Sequence, residues 1–569
     1  MTYKHYAVRP ERFTNEFVAE EFERLTARID EAESSESPEL WLRLFEDWNA
    51  LKAYVSSEGS RRSHAQSKDM TDEDVEEADR YFREEVAPVA DNGNSRLVNA
   101  LLASRHRDAI AARYGDYLLR ALETAVEPLA PINNELRVAA STLVNRYDKA
   151  VAAGEVTVEG TTMTLSQARG LQSSDNPVTR REAFVAYRQW FVDHRDELAP
   201  IYDELVALRH RMATNLGHEN FLRLGYASMG RTDYTPAEVA TFRQSVRRYA
   251  VPLLARIQER LAAAHGTPTL MPWDSSYDPE LSLPSDVAPV ETQLDKAQRV
   301  FESLSPELAR HFVRMRDENL IDLENRKGKR AGAYCTSFPD EGRVAILCNS
   351  TGEEEDVRTL MHEMGHAFQG WESQPIEAVD LQWPTSDACE VHSMGMEYLS
   401  MRHITEFFTE EQAAKFRRQR WKRAIDLLCY VCVVDEFQHW VYENPTATPD
   451  DRDREWDRIW GTYITGIDFT GVESYRSARW YAQGHLFQVP FYYIDYALAE
   501  TGAMQLALVD SKNHEEALEK YIELCRIGGT MSVLEIFSKV GMRSPFDGDL
   551  MRDLMEHAAT QVGLEPQGA

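Results

Sequence analysis

The chain has 569 residues, 43% of them hydrophobic and 28% charged. That composition argues against wholesale disorder and leaves material for more than one folded unit. Lys and Arg number 63 against 94 Asp and Glu, a formal net charge of −31, which disfavours non-specific nucleic-acid binding and adhesion to anionic membranes. No run approaches the roughly 20 apolar residues of a membrane span, and MTYKHYAVRPERF holds no apolar signal core. The six cysteines are too sparse for a disulfide framework, and Cys429 and Cys432 read as small apolar residues of a buried helix. A cytoplasmic enzyme is expected.

Taken in order, residues 12–32, 38–57, 72–88 and 94–127 place charged faces against spaced Phe, Leu, Trp and Ala, the pattern of amphipathic helices. Residues 133–153 continue it. GEVTVEGTTMTLSQ then predicts a short hairpin turning at Glu159-Gly160. Helix resumes from Pro177 to about Asn215, and 266–292, rich in Pro, Asp and Ser, reads as a long loop. A second hairpin is predicted at 333–348, where AYCTSF and RVAILC flank Pro339-Asp340-Glu341-Gly342. Beyond it the chain is helical to about Val562, with loops near 371–384, 444–453 and 465–476. The expectation is a mainly α fold with a small β patch. An N-terminal helical region (1–200) would precede a catalytic region (201–569).

The chemistry concentrates in VRTLMHEMGHAFQGW, residues 357–371. Val357, Leu360, Met361, Met364, Phe368 and Trp371 recur at helical spacing, so the helix is largely buried. His362 and His366 are four apart and share a face, where two imidazoles can point at one Zn²⁺. Glu363 is adjacent, as required of a base acting on water at a metal. Asp356 and Glu353–Glu355 fall near the helix start, where the dipole favours acids. Gln369 and Glu372 occupy the positions where a metzincin carries Gly and His, which excludes that class. The third ligand is then a glutamate from beyond the helix: Glu372, Glu377 or Glu390. Glu390 opens a new helical pattern, and Glu397, two turns on, shares its stripe. A carboxylate pair on an apolar-flanked stripe needs a cation or a histidine to neutralise it. Glu390 is therefore chosen as ligand and Glu397 as the acid behind it.

HEMGHAFQ followed by EVHSMGMEYL resembles the thimet oligopeptidase/oligoendopeptidase F family of zinc peptidases, whose pattern is H-E-x-G-H and then E-x-x-S-x-x-x-E. The pattern falls on His362, Glu363, Gly365, His366, Glu390, Ser393 and Glu397. GEVTVEGTTMTLSQ, IYDELVALRHRMATNLGHENF, GKRAGAYC and CRIGGTMSVLE are also similar to oligoendopeptidase F, so the resemblance covers most of 130–545 in patches. It implies a helical ellipsoid split by a deep narrow channel with one zinc ion on its floor, and short peptides as substrates. GHLFQVPFYYIDYA resembles the family's aromatic loop near the C-terminus, which contacts substrate and oxyanion. On that likeness His485, Tyr493 and Tyr496 become candidates. Ile494 stands where the family usually has another Tyr, so Tyr492 and Tyr493 both remain open. Taken without the resemblance, Phe491, Tyr492, Tyr493 and Tyr496 at helical spacing would be core.

The resulting expectation is zinc-assisted hydrolysis of short peptides. His362, His366 and Glu390 would hold the metal, Glu363 would be the base, and Tyr496 with Tyr493 or His485 would meet the oxyanion. The 333–348 hairpin would offer an edge strand to an extended peptide. The alternatives are a zinc carboxypeptidase or dipeptidyl carboxypeptidase on a similar helical scaffold, and a non-catalytic peptide-binding protein with a structural zinc.

Overall fold

A computed structural model describes residues 6–566. The chain is mainly α-helical with two small sheets, and it forms two compact units. The first comprises Met1–Val126, Pro284–Ala413 and Gly502–Met542. The second comprises Glu127–Leu283, Ala414–Thr501 and Arg543–Ala569.

In the first unit, the helix Glu39–Lys68 carries Trp41, Leu44, Phe45, Trp48, Leu51 and Val55 on a buried face. That face joins Val18, Phe22 and Leu25 of the helix Asn15–Thr26 and Leu97 and Leu101 of Ala87–Ala103 in one core. Each such side chain contributes about 1.5–3 kcal/mol when fully buried. Ala378 and Leu381 belong to the same core, and Asn49 ties down their segment. Its side-chain amide donates to the Glu377 carbonyl (2.6 Å) and accepts from the Val379 N–H (2.8 Å).

The predicted hairpin at 333–348 is present as β4 (Tyr334–Phe338) and β5 (Arg343–Ser350). A third strand, β3 (Ile321–Glu324), was not expected. It pairs in parallel with β5, so β5 is central and β4 lies at an edge. Val344 to Cys348 are buried without alternation, as suits a central strand covered on both faces. β5 runs directly toward the helix Glu354–Glu372. One Asp356 carboxylate oxygen accepts from the N–H groups of Thr351 (2.8 Å), Gly352 (2.6 Å) and Glu353 (3.0 Å). These bonds fix the turn that sets the helix direction.

The second unit contains the hairpin of β1 (Glu155–Val158) and β2 (Thr161–Thr164), with Glu159 and Gly160 both at positive φ in its turn. Helices Asn134–Ala152, Pro177–Asp193 and Arg195–Asn215 surround it in sequence. Its core is aromatic. Trp480 packs with Tyr202 (4.9 Å between ring centroids) and Phe437 (5.4 Å), and Tyr147 stacks on Phe487 (3.9 Å).

Several helix boundaries differ from expectation. Residues 12–32 break after Thr26, where Arg28 precedes a new helix at Ile29–Ser34. Residues 94–127 hold the end of one helix and two others, Arg107–Tyr114 and Asp116–Val126, separated by Gly115 at φ 100°. The expected loop at 444–453 ends early: Thr448 caps a helix that Pro449 begins, the position where proline's missing N–H costs nothing. No described helix is long and apolar enough to cross a membrane.

Candidate metal centre and tyrosine cluster

In the first unit, the histidine helix Glu354–Glu372 packs against the helix Ser386–Ser400, which is buried along nearly its whole length. Gly365 permits the approach. A Cβ there would stand 2.5 Å from the His392 carbonyl oxygen and 2.6 Å from the Ser393 Cα. The Tyr521 hydroxyl lies 3.3 Å from the Gly365 carbonyl and 3.1 Å from that of His392, and donates across the junction.

The crossing brings together His362, His366 and Glu390, whose donor atoms all lie within 4.8 Å of one another. Glu390 Oε2 is 3.4 Å from His362 Nε2 and 3.6 Å from His366 Nε2, and it accepts a hydrogen bond from Ser393 Oγ (2.9 Å). Glu397 Oε1 lies 2.7 Å from His362 Nδ1. His366 Nδ1 faces Cys389 Sγ at 3.4 Å. Glu363 is buried beside them, and its Oε2 has no hydrogen-bond partner among the described residues. The other two glutamates considered as ligands are engaged elsewhere. Glu372 pairs with His311 (2.7 Å) and Arg526 (3.0 Å), and Glu377 pairs with Arg113.

The ionisation pattern is that of an acceptor-rich pocket. Burial disfavours a charge on His362, but hydrogen bonds to Glu390 and Glu397 outweigh it and push the imidazole up to about 10. Burial takes His366 down to about 4. Burial also opposes the Glu390 charge, yet His362, His366 and Ser393 hold that carboxyl down at about 2. Burial pushes Glu363 up to about 7, and the charges of Glu390 and Glu397 add to the rise.

This donor set fits a divalent cation. A tetrahedral Zn²⁺ with bonds of about 2.0–2.1 Å needs donors about 3.4 Å apart, which the glutamate–histidine spacings meet. The Nδ1 atoms are occupied by Glu397 and Cys389, which leaves Nε2 of each ring for a metal and sets the tautomer. The demand that protonates His362 is the demand a cation on Nε2 would satisfy, with release of the proton.

The other candidates lie in the second unit, in a cluster of their own. Phe491 has a left-handed backbone, φ 68°, a conformation that costs about 1–3 kcal/mol for a non-glycine residue. It is held there by its N–H to Gln438 Oε1 (2.7 Å) and its carbonyl to Arg231 Nη2 (2.5 Å). The reversal presents Tyr492, Tyr493 and Tyr496 to His485. The His485 ring is stacked on Tyr492 (5.7 Å between centroids), tilted on Tyr493 (4.8 Å) and edge-on to Tyr496 (6.3 Å). The Tyr430 hydroxyl donates to Gln483 Oε1 (2.8 Å), and Gln483 Nε2 donates to His485 Nδ1 (2.9 Å). Burial and the charge of Arg169 keep His485 neutral by lowering its pKa. Because Nδ1 accepts, the remaining proton sits on Nε2 as a donor. Tyr493 is held as a phenol, burial raising its pKa well above the usual range. The sequence did not single out Tyr430 or Gln483. Both sit far from the aromatic loop or outside its motif, and only the folded chain joins them to His485.

A helical scaffold with a histidine–glutamate pocket of this kind is a peptidase architecture, and comparison with known proteins gives the same class. The chain belongs to peptidase family M3. The model of Peptidase family M3 matches residues 170–556, and that of the Peptidase M3 N-terminal domain matches residues 7–128. The solved structure of PZ peptidase A with an inhibitor superposes with a TM-score of 0.88 at 31% identity, covering 98% of this chain and 99% of that one. The chromosomal oligoendopeptidase F of Lactococcus lactis subsp. cremoris is 37% identical over 83 residues, 14% of either chain. Oligopeptidase A of Salmonella typhimurium is 25% identical over 254 residues, 34% of this chain and 37% of its own length.

Proposed function

We propose that the chain is a zinc-dependent oligopeptidase of the cytoplasm that hydrolyses short peptides, one zinc ion serving each chain. The observation that carries this reading is the convergence of His362, His366 and Glu390 beside a buried glutamate that has an unpartnered oxygen. A Zn²⁺ held by the three donors would supply Lewis acidity toward water and the scissile carbonyl.

Glu363 supplies the proton traffic. Glu363, whose carboxyl is pushed up by burial, is the base assigned to take a proton from the attacking water and return it to the leaving amine. Its free Oε2 has no competing partner to displace. Glu397 orients His362 through Nδ1, and Ser393 holds Glu390. His485 Nε2–H and the phenols of Tyr493 and Tyr496 are the donors assigned to the developing oxyanion. Burial keeps His485 neutral and Tyr493 a phenol, which suits that role, since a donor must keep its proton. β4, an edge strand, is assigned to main-chain pairing with an extended substrate. The family membership and the fold shared with PZ peptidase A support the peptide substrate class.

Glu363→Gln tests the assignment. It is expected to retain zinc, read by elemental analysis, and to lose cleavage of an internally quenched peptide by about 10²–10⁴-fold, the usual contribution of a positioned base. Retained hydrolysis would remove Glu363 from its role.

A further inference from the structure

β4 ends the three-stranded sheet of the first unit, and among the described residues Tyr334 to Ser337 make no main-chain hydrogen bond outside that sheet. Such an edge is a template for one more strand. Side chains alternate along a strand, so β4 has two faces. Tyr334, Thr336 and Phe338 share the face that looks onto the helix Glu39–Lys68: the Tyr334 hydroxyl lies 3.0 Å from His64 Nδ1, and the Phe338 ring stands edge-on to His64 at 6.1 Å. Ser337 looks the other way and accepts from the Trp383 indole N–H (3.1 Å). That indole borders the histidine helix, where a Cβ on Gly370 would stand 3.1 Å from it. A peptide added to β4 therefore sends alternate side chains toward the histidine helix and toward the helix Glu39–Lys68.

On the second side there is a cavity of about 610 Å³, bounded by Thr336 of β4 and built wholly from the first unit. Its apolar wall includes Val55, Ala87 and the ring of Phe82. Gly59 makes room for that ring, since a Cβ there would meet Phe82 Cε1 at 2.6 Å. Phe82 begins a π-helical turn, Phe82–Val86, a distortion found mostly at functional sites. The charged residues of the wall pair off with one exception. Lys52 pairs with Asp380, and Arg83 with Asp79 (2.8 Å). Asp91 lines the cavity without a hydrogen bond or ion pair among the described residues. Partial burial raises its pKa, and no donor or cation offsets the rise. An apolar passage that ends at an unpaired carboxylate, with an aromatic ring beside it, suits a long side chain with a cationic head.

We propose that this cavity is a specificity subsite, in which an Arg or Lys side chain of a peptide extended along β4 lies against Phe82 and pairs with Asp91. The inference rests on the oligopeptidase reading above and names a substrate class for it, peptides with a basic residue at one fixed position. The net charge of −31 favours encounter with such peptides.

The test walks a single arginine through an internally quenched, N-acetylated octapeptide of otherwise neutral residues, with norleucine and glutamate as references at each position. For the zinc-loaded enzyme, one position is expected to give kcat/KM about 3- to 10-fold higher for arginine than for norleucine, the range of a partly exposed ion pair beside an aromatic ring. Asp91→Asn should bring that ratio toward one. Asp91→Lys should turn the preference toward glutamate at the same position, a reversal that lost packing does not produce. Absence of any arginine preference, or a preference unchanged in Asp91→Asn, would overturn the subsite. The same peptides with a free amino terminus separate the two sources of a cation. A gain confined to the free α-ammonium and abolished in Asp91→Asn would overturn the side-chain assignment. Fluorescence polarisation of the same peptides on the Glu363→Gln protein separates this inference from the reading beneath it. If no peptide is cut, the peptidase reading fails, while an arginine preference in binding that Asp91→Asn removes still supports the subsite. Asp91→Asn should melt no lower than its parent, because it breaks no contact within the fold. A marked fall would assign Asp91 to the fold and overturn its part in the subsite.

Discussion

The histidine pocket of the first unit and the arginine–tyrosine cluster of the second are opposites in charge and in hydrogen-bond currency. The first gathers acceptors: Glu390 and Glu397 bracket His362, and Glu363 adds a third carboxyl. The second gathers donors: Arg188, Arg479 and Trp460 have N–H groups without acceptors, and His485 and Tyr493 are held neutral with their protons in place. A buried excess of acceptors calls for a cation, and a buried excess of donors calls for an anion. A peptide in the course of hydrolysis offers negative charge at its oxyanion.

Removing one donor from the second region should give the largest effect on that comparison. Tyr496→Phe is expected to lower kcat by about 10²–10³-fold with KM little changed; steady-state kinetics on a quenched peptide checks it, and an unaltered kcat would take Tyr496 out of the oxyanion role. On the acceptor side, Glu397→Gln is expected to weaken zinc affinity by about 10- to 100-fold, as loss of a partner behind a metal-binding histidine does; competition with a chromophoric chelator measures it. Gly365→Ala forces a methyl group into the junction where the His392 carbonyl stands 2.5 Å away. The expected loss is about 1–3 kcal/mol of stability by denaturant titration, with zinc affinity falling in step because the same junction sets the donor spacing.

The smallest effect concerns acid stability near the sheet. Burial opposes the charge on Asp322, but hydrogen bonds and charges of Arg326 and Lys329 hold it down at about 2, below the ordinary 3.8. A depressed carboxyl stabilises the fold above its unfolded pKa, and that contribution is lost as pH falls from about 4 through about 2. Asp322→Asn should flatten that part of the stability–pH curve, read by thermal melts at each pH.

The convergence of His362, His366 and Glu390 was legible because the pattern is local. His362 and His366 are one turn apart, Glu390 and Glu397 two turns apart, and each helix announces its buried face through apolar spacing. The hairpins were legible from their turns. β3 was not, since IDLE is four residues long and pairs in parallel with a strand more than twenty residues away. The helix after Thr448 was in principle readable from Thr448, Pro449 and Asp451, a cap and a favoured first residue, but NPTATPDD also has the composition of a loop. Arg188 carries no signal in sequence at all. In REAFVAYRQW it is one polar residue among others, and its burial against Phe184 and Tyr187 appears only in the folded chain.

The central claim is that catalysis belongs to a metal held by His362, His366 and Glu390. Dialysis against a chelator followed by titration with Zn²⁺, with peptide cleavage and bound zinc measured at each step, tests it most directly. Activity should vanish with the metal and return in proportion to zinc, reaching its maximum at one ion per chain, and Glu390→Gln should fail to recover it at the same zinc concentration. Full cleavage by the metal-free protein, or full zinc occupancy and activity in Glu390→Gln, would contradict the account.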